Sequence, residues 1–455
     1  MRRIVAIAGM TMRTAIRSRL LMLAAGGVAL AVFGLPAVLH GDGTLGGHVQ
    51  LLLYYPLGLS GLLLSLGAVW AGAAMVAVEV DRGTAALLVT KPVRPIELWL
   101  GKWLGLLVWN SVILMLAGLV TGLFVFWSVR GPGSATAADR EQVEWEALAA
   151  HAEIKADPEP LKELARREFE RLSAERRLPT HIPKELLMDY FRERAAAAAR
   201  MALPGSRKEW TFRPAFRLDS ARPALLRFRF VTSGEAFPPA IRGVWEVGAP
   251  GVQPYRYEGV FKSDQVGEIT VPGSVLSGDG PLTVAFLNND PASVPVVFAM
   301  DSPVTLRLYG GSFEGKALRC LLLMLLRLAV LSALGLTAGC ACSFPVAAFV
   351  TISLFVVMTL SGWIQGWSDP GQAQTGLQGM SFADVSWYEG IAGVSDTLLF
   401  PLRQPGVLES LASGRAIPGR LVLGVLALSA LYVLLLAAIG GVILRRRQLI
   451  AGGVP

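Results

Sequence analysis

The sequence predicts a mainly α-helical, polytopic membrane protein with six transmembrane helices and a large extracytoplasmic α+β insertion that contains a β-sandwich. The 455-residue chain is 53% hydrophobic and only 17% charged, whereas soluble globular chains average about 25% charged residues. Six apolar runs each reach about the 20 residues that a helix needs to cross the hydrocarbon core of a bilayer. Between the third and fourth runs lies a long segment with the composition of a soluble domain.

The apolar runs define the predicted spans. The sequence CACSF separates the fourth run from the fifth, and Pro345 is expected to break the helix and allow a tight reversal. The first run is too long for a signal peptide and follows an arginine-rich segment. No soluble core could hide six such runs, which excludes a soluble enzyme. The predicted spans are Leu20–Leu39, Leu57–Val78, Leu104–Trp127, Cys320–Gly339, Pro345–Trp363 and Leu421–Leu444.

Basic residues are unevenly distributed. Residues 129–316 contain 25 Lys or Arg and 25 Asp or Glu, so the chain totals of 42 and 34 leave 17 basic and 9 acidic residues elsewhere. The whole net charge of +8 therefore lies in the segments that carry the spans. Lys and Arg in short loops mark the cytoplasmic side of a membrane protein. No basic stripe is interleaved with stacking aromatic residues, so nucleic acid is not a predicted partner.

The same rule orients the chain. Both termini and the loop 79–103 are basic, whereas the loop after the first span has no Lys or Arg. We therefore expect both termini in the cytoplasm. The Ala-, Gly- and Arg-rich composition favours a bacterial source, so the expected location is the inner (plasma) membrane. The predicted organisation begins with a cytoplasmic amphipathic N-terminal helix at 1–19 and transmembrane helices 1–3 at 20–128, which include a cytoplasmic loop at 79–103. An extracytoplasmic insertion follows at 129–316. Transmembrane helices 4–6 lie at 317–455, with an extracytoplasmic loop at 364–420 and a basic cytoplasmic tail.

The insertion has two parts. Residues 137–202 are rich in Glu, Ala, Arg and Leu and are punctuated by prolines, which predicts two or three helices. Residues 208–310 alternate apolar and polar side chains between turn signals such as GAPG and NNDP, which predicts a β-sandwich of about eight strands. Such a module could bind a ligand or partner, act as a spacer or cover a gate, and its loops do not select among these roles.

The sequence offers little for catalysis. The four histidines are not at metal-ligand spacing. The segment GGSFEGKA resembles a phosphate-binding loop, but Ala317 stands where a Ser or Thr would reach magnesium. There is no nucleophile elbow and no metalloprotease motif. The chain is therefore predicted not to be an enzyme by itself and to hold no cofactor or metal.

Two polar residues lie inside predicted spans. Asn110 could form a hydrogen bond to another helix. Arg327 has two interpretations. An intramembrane charge is a functional candidate because it is costly, but Arg327 could also snorkel to the outer headgroups from an amphipathic entry segment. We favour the second interpretation on sequence alone.

The loop 79–103 contains paired charges and prolines that a simple connector between two spans does not require. Glu79 and Arg82 are three residues apart and can pair if the second span continues as a helix. Two prolines in the segment from Thr90 to Pro95 predict a rigid turn. Pro95 suits the first position of the next helix, with Glu97 near the positive helix end. A plain connector whose charges only set topology would not require the prolines.

The same loop resembles permeases of the ABC-transporter class with six-helix, exporter-type (ABC type-2) membrane domains, and is similar to those of copper-enzyme maturation and gliding-motility systems. The pattern E-x-x-x-G-T, L-x-x-K-P-V-x-R and G-K carries the resemblance, with support from SFPVA, LASGRAI and the terminal RRRQL. Gln448 departs from the family tail, and the insertion is larger than usual. The matching residues are Glu79, Gly83, Thr84, Leu88, Lys91, Pro92, Val93, Arg94, Gly101 and Lys102.

The resemblance implies a permease subunit that works with a separate cytoplasmic ATPase, which binds the ATP. A second permease chain, identical or related, would complete the path across the lipid bilayer. The implied ATPase-coupling residues are Glu79, Arg82, Gly83, Thr84, Lys91, Pro92, Arg94 and Lys102. A rival hypothesis is a membrane-anchored extracytoplasmic binding or scaffold protein that uses its β-sandwich to hold a partner. An ion-coupled transporter is disfavoured, because the spans lack central acidic residues.

Overall fold

The computed structural model describes residues 2–39, 44–81, 94–131, 140, 143, 148–157, 161–175, 184–213, 223–232, 240–249, 253–276, 280–290, 294–298, 304–367 and 406–451. The chain divides into two compact units. The helical unit comprises Met1–Ala150 and Gly311–Pro455, and the strand-rich unit comprises His151–Gly310.

The helices follow the apolar and amphipathic patterns of the sequence. In chain order the described helices are α1 (Arg2–Arg17), α2 (Arg19–Val38), α3 (Leu45–Asp81), α4 (Pro95–Arg130), α5 (Leu161–Ala174), α6 (Lys184–Arg200), α7 (Phe313–Ala341), α8 (Phe344–Trp367), α9 (Val407–Ala412) and α10 (Gly419–Ala451).

Five of the six predicted spans lie within one of these helices, and the first, Leu20–Leu39, ends one residue beyond α2. Five helices are long and apolar enough to cross a membrane within the described ranges, namely α2, α3, α4, α7 and α10. For α8, the side chains that the structure describes form a shorter apolar stretch, Phe344–Thr359. The structure therefore shows several membrane-spanning helices, but it does not confirm the count of six. Helices α3 and α4 are longer than the predicted spans because the polar residues at their ends continue the helix.

Helix α7 lies at the centre of the helical unit. In the most apolar 18-residue segment of α7, 67% of the helix is buried, compared with 22% in the corresponding segments of α2 and α10. It packs closely against α3, where Gly72 faces the backbone of α7 and Gly335 and Gly339 face the backbone of α3. A Cβ atom built on Gly72 would lie 2.8 Å from the carbonyl oxygen of Ser332. These glycines let the two backbones approach more closely than any larger residue would allow.

The strand-rich unit contains two antiparallel sheets. One sheet has the order β1-β10-β4-β9-β2 with β7 also paired to β4, and the other has the order β3-β8-β5-β6. Both sheets contribute side chains to one apolar core, including Phe228 and Phe230 from β4, Trp245 from β5 and Phe286 from β8. The strands are β1 (Ala150–Lys155), β2 (Met201–Ala202), β3 (Arg207–Phe212), β4 (Ala224–Thr232), β5 (Ala240–Gly248), β6 (Tyr255–Lys262), β7 (Val266–Val271), β8 (Leu282–Asn288), β9 (Val296–Phe298) and β10 (Val304–Gly311).

Two strands correct the sequence prediction that residues 137–202 are helical. The short β2 (Met201–Ala202) lies at the end of that range, and Ala150–Lys155 forms β1 on the edge of the first sheet. The segment AHAEIK alternates small or apolar residues with polar ones, and Ile154 packs against the core formed by the two sheets. This period of two suits a half-buried strand. The helix-favouring composition of the residues around it masked the pattern.

Candidate functional site

The described residues on the two sides of segment 82–93 belong to α3 and α4. Helix α3 continues to Asp81, and α4 begins at Pro95 after the N-cap residue Arg94. The backbone N–H of Arg94 donates a hydrogen bond to Glu97 Oε2 at 3.1 Å, which closes half of a capping box. The predicted placement of Pro95 at the first helical position is confirmed. The carboxylate of Glu97 also lies where the positive end of the helix dipole favours it.

Replacing Glu97 by alanine is expected to loosen the first turn of α4. The lost capping interaction should cost about 0.3–1.5 kcal/mol of local stability. Hydrogen exchange of the backbone amides at residues 94–99 would show this as faster exchange. Glu97→Gln keeps an acceptor at the same position and is the matched control. Equal exchange in the two variants would contradict the assigned role of the carboxylate.

An ion pair joins α3 to α4. The Lys102 ammonium on α4 contacts the Glu79 carboxylate on α3 and donates a second hydrogen bond to the carbonyl oxygen of Met75 at 2.6 Å. The lysine side chain is only 6% exposed, whereas the Glu79 side chain is 42% exposed. A buried ammonium needs such partners because it has left water. The pair therefore fixes α3 against α4 just behind the loop.

The first turns of α4 also hold the N-terminal helix. A Cβ atom on Gly101 would lie 2.7 Å from Ile7, and one on Gly105 would lie 2.6 Å from Thr11. The two glycines are four residues apart and so share one helix face. Their missing side chains let α1 pack directly on the backbone of α4. Gly101 and Lys102, adjacent in sequence, thus contact two different helices.

Two tryptophans connect the same part of α4 to the later helices. Trp99 is fully buried, and a Cβ atom on Gly440 of α10 would lie 2.5 Å from its indole nitrogen. Trp103 stacks on Trp99 with ring centroids 6.3 Å apart. The indole N–H of Trp103 donates a hydrogen bond to the carbonyl oxygen of Ala329 on α7 at 2.9 Å. Residues 95–105, called the α4 entry below, therefore contact α1, α3, α7 and α10.

The structure brings together some of the predicted coupling residues. Glu79 and Lys102 form one pair, and Arg94 lies at the start of the same helix as Lys102. The predicted pair between Glu79 and Arg82 remains a prediction, because Arg82 lies outside the described residues. The other predicted coupling residues that lie outside them are Gly83, Thr84, Lys91 and Pro92.

Sequence reasoning missed the packing roles of Gly101, Trp99 and Trp103. Gly101 was noted only as part of the loop pattern, and its spacing of four from Gly105 is the signal that could have indicated a helix contact. The tryptophans are separated by the same spacing. Neither spacing identifies which helix lies opposite, so the contacts themselves required the three-dimensional structure.

Both intramembrane polar candidates lie in long helices. Asn110 on α4 is 2% exposed, so its amide lies inside the packed helices and not on their surface. Arg327 is half-buried on α7, with its guanidinium carbon 5.6 Å from the ring centroid of Phe355 on α8. In the described ranges, no group of three or more His, Cys, Asp or Glu side chains is arranged to hold a metal ion.

The apolar helices define an integral membrane protein. Helices α1, α3, α7 and α10 all contact the α4 entry. A family model described as "ABC-2 family transporter protein" matches residues 5–140, which include most of α1, all of α2 to α4 and the whole loop 79–103. This match confirms the resemblance found in the loop and supports an ABC-2 type permease. No curated protein and no solved structure matches the chain.

Proposed function

We propose that this chain is the membrane-spanning permease subunit of an ABC transporter in a bacterial inner (plasma) membrane. A separate cytoplasmic ATPase would supply the energy, and the permease itself would bind no ATP and catalyse no reaction. The family match over residues 5–140 supports a transport role and implies an ATPase partner. The proposal includes six spans with both termini in the cytoplasm, export as the direction, and a β-sandwich outside the membrane.

The observation that carries the mechanism is the α4 entry. Four helices contact these eleven residues, and the loop that precedes them is the segment whose sequence resembles the ATPase-coupling loop of the family. A force applied to the loop would reach α3 through Lys102, α1 through Gly101 and α7 through Trp103. The helices would then move together between two packed arrangements, as interfaces with discrete packing do.

A second permease chain, identical or related, would line the other side of the path. The large exposed apolar surface of α2, α4 and α10 is available for lipid and for such a partner. The extracytoplasmic unit could bind a further partner of the transporter. We place the ATPase contact at the loop because it joins the two helix ends that Glu79 and Lys102 hold together.

Purification of the tagged chain from native membranes in mild detergent tests this proposal. The variant Arg82→Glu with Arg94→Glu is compared with the wild type, and co-purified proteins are identified by mass spectrometry. Arg194→Glu with Arg242→Glu, two exposed residues of the strand-rich unit, is the matched charge-reversal control.

We expect a roughly stoichiometric ATPase with the wild type and the control, and its loss from the loop variant. No ATPase with any version would overturn the proposal. If only extracytoplasmic proteins were retained equally by all versions, the membrane-anchored scaffold would replace it.

A further inference from the structure

Arg327 occupies the midpoint of the central membrane helix. Phe313 and Ala341, the ends of α7, are each fourteen residues away, a distance of about 21 Å along a helix axis. That distance is several times the length of one arginine side chain. The helix is also the most enclosed of the candidate spans. Arg327 therefore combines a central position along this helix with a half-buried side chain.

The side chain is directed across to α8. Its guanidinium carbon lies 5.6 Å from the ring centroid of Phe355. Only Cys342 and Ser343 separate α7 from α8, so α8 returns alongside α7 from the Ala341 end. Phe355 is eleven residues into α8, or about 16 Å from that reversal. The guanidinium therefore lies at the depth of the helix centre and does not extend along α7 towards Phe313.

The charge has no protein counter-ion within the described residues. No carboxylate of that part of the chain pairs with Arg327, and its buried Nε atom has no hydrogen-bond acceptor there. Charged side chains in spans usually face a cavity or pathway and pair with another group, because an uncompensated charge in the bilayer is costly. The Phe355 ring supplies only a weak cation–π contact.

The surroundings of the guanidinium restrict its partner. Phe355 belongs to an apolar cluster that also contains Val330, Leu331 and Met358. A planar guanidinium binds oxyanions such as carboxylate and phosphate through two parallel hydrogen bonds. A ligand that satisfies both features carries an anionic phosphate or carboxylate group next to an apolar body.

We propose that Arg327 binds the anionic head of an amphiphile that the permease transports. The inference rests on the proposed transport function and specifies the passenger class for it. The apolar part of the molecule would lie against the Phe355 cluster while its phosphate or carboxylate pairs with Arg327. This interaction would also compensate the arginine charge during the passage.

The test uses the purified full-length chain in nanodiscs with spin-labelled phosphatidylglycerol, spin-labelled phosphatidylcholine and inorganic phosphate as probes. The variants are Arg327→Gln and Arg327→Lys. Arg420→Gln removes an exposed charge in the first turn of α10 and is the matched control. Monodisperse elution and retention of the ATPase show that each variant is folded and assembled.

We expect the wild type and Arg420→Gln to immobilise phosphatidylglycerol in preference to phosphatidylcholine. Arg327→Gln should weaken the binding of phosphatidylglycerol roughly tenfold or more, as expected for one charge-assisted hydrogen bond, and Arg327→Lys should retain part of the preference. An unchanged preference in folded Arg327→Gln would overturn the inference. Equal displacement by inorganic phosphate would also overturn it, because the apolar body would then contribute nothing.

The outcome is separable from that of the transport proposal. If the ATPase co-purifies and Arg327→Gln binds both lipids as the wild type does, only the inference on Arg327 fails. If no ATPase is found with any version, the transport function itself fails, whatever the lipid result.

Discussion

Glu79→Ala is expected to destabilise the protein more than Lys102→Met, although both remove the same ion pair. Loss of Glu79 leaves a buried ammonium whose remaining partner among the described residues is the carbonyl oxygen of Met75. Breaking a buried pair from one side costs about 3–5 kcal/mol, and we expect the lower end because the Glu79 side chain is 42% exposed. Lys102→Met leaves a carboxylate that water can solvate, so its cost should be under about 1 kcal/mol.

Thermal unfolding in detergent, followed by size-exclusion chromatography of the heated samples, measures this asymmetry. In the double variant Glu79→Ala with Lys102→Met, the second change removes the stranded charge, so the double variant should be more stable than Glu79→Ala alone. A larger loss for Lys102→Met than for Glu79→Ala would contradict the buried position of the lysine. Strict additivity of the two changes would show that the residues do not interact.

Gly335→Ala is expected to disrupt the packing of α3 on α7. A Cβ atom there would overlap the carbonyl oxygen of Val69 and lie 3.2 Å from the backbone nitrogen of Ala73. Backbone atoms cannot move aside as a flexible side chain can, so the two helices would have to separate along their contact. Overpacking of a core costs about 1–3 kcal/mol, and a displaced helix pair should reach or exceed the upper value.

The yield of monodisperse protein and the thermal midpoint report this effect. Gly122→Ala on α4 makes the same chemical change at a position where no atom of the described residues lies within 4 Å of the new Cβ atom. It should therefore behave as the wild type does. If Gly335→Ala and Gly122→Ala were equally stable, the close approach of α3 and α7 would not be a determinant of folding.

Hydropathy located the membrane helices well because twenty consecutive apolar residues have few other stable environments. The ends of α3 and α4 were less predictable, since polar residues continue both helices beyond their apolar parts. The start of α4 was the exception. Its proline and glutamate are local signals that act within one helical turn, so Pro95 could be placed from sequence alone.

The ion pair of Glu79 and Lys102 could not be found in the same way. Local spacing suggested Arg82 as the partner of Glu79, because residues three apart share a helix face. Lys102 lies 23 residues from Glu79 and meets it through the relative shift of two helices. No sequence period encodes that shift. Short strands such as β1 are missed for a related reason. Six residues contain too few repeats of the alternating polar and apolar pattern to outweigh the helix-favouring composition around them.

Helices α3 and α4 differ in one respect that affects how motion would spread through the membrane. Helix α4 is 36 residues long, or about 54 Å, without an interior proline that would break its hydrogen-bond ladder. Helix α3 contains Pro56, a residue that removes a backbone hydrogen bond and allows bending. A tilt imposed at the Asp81 end of α3 and the Pro95 end of α4 would be transmitted along α4. In α3, bending at Pro56 would absorb part of the tilt. The far ends of α3 and α4 would thus move by different amounts. A single displacement next to the loop would therefore widen the space between the two helices.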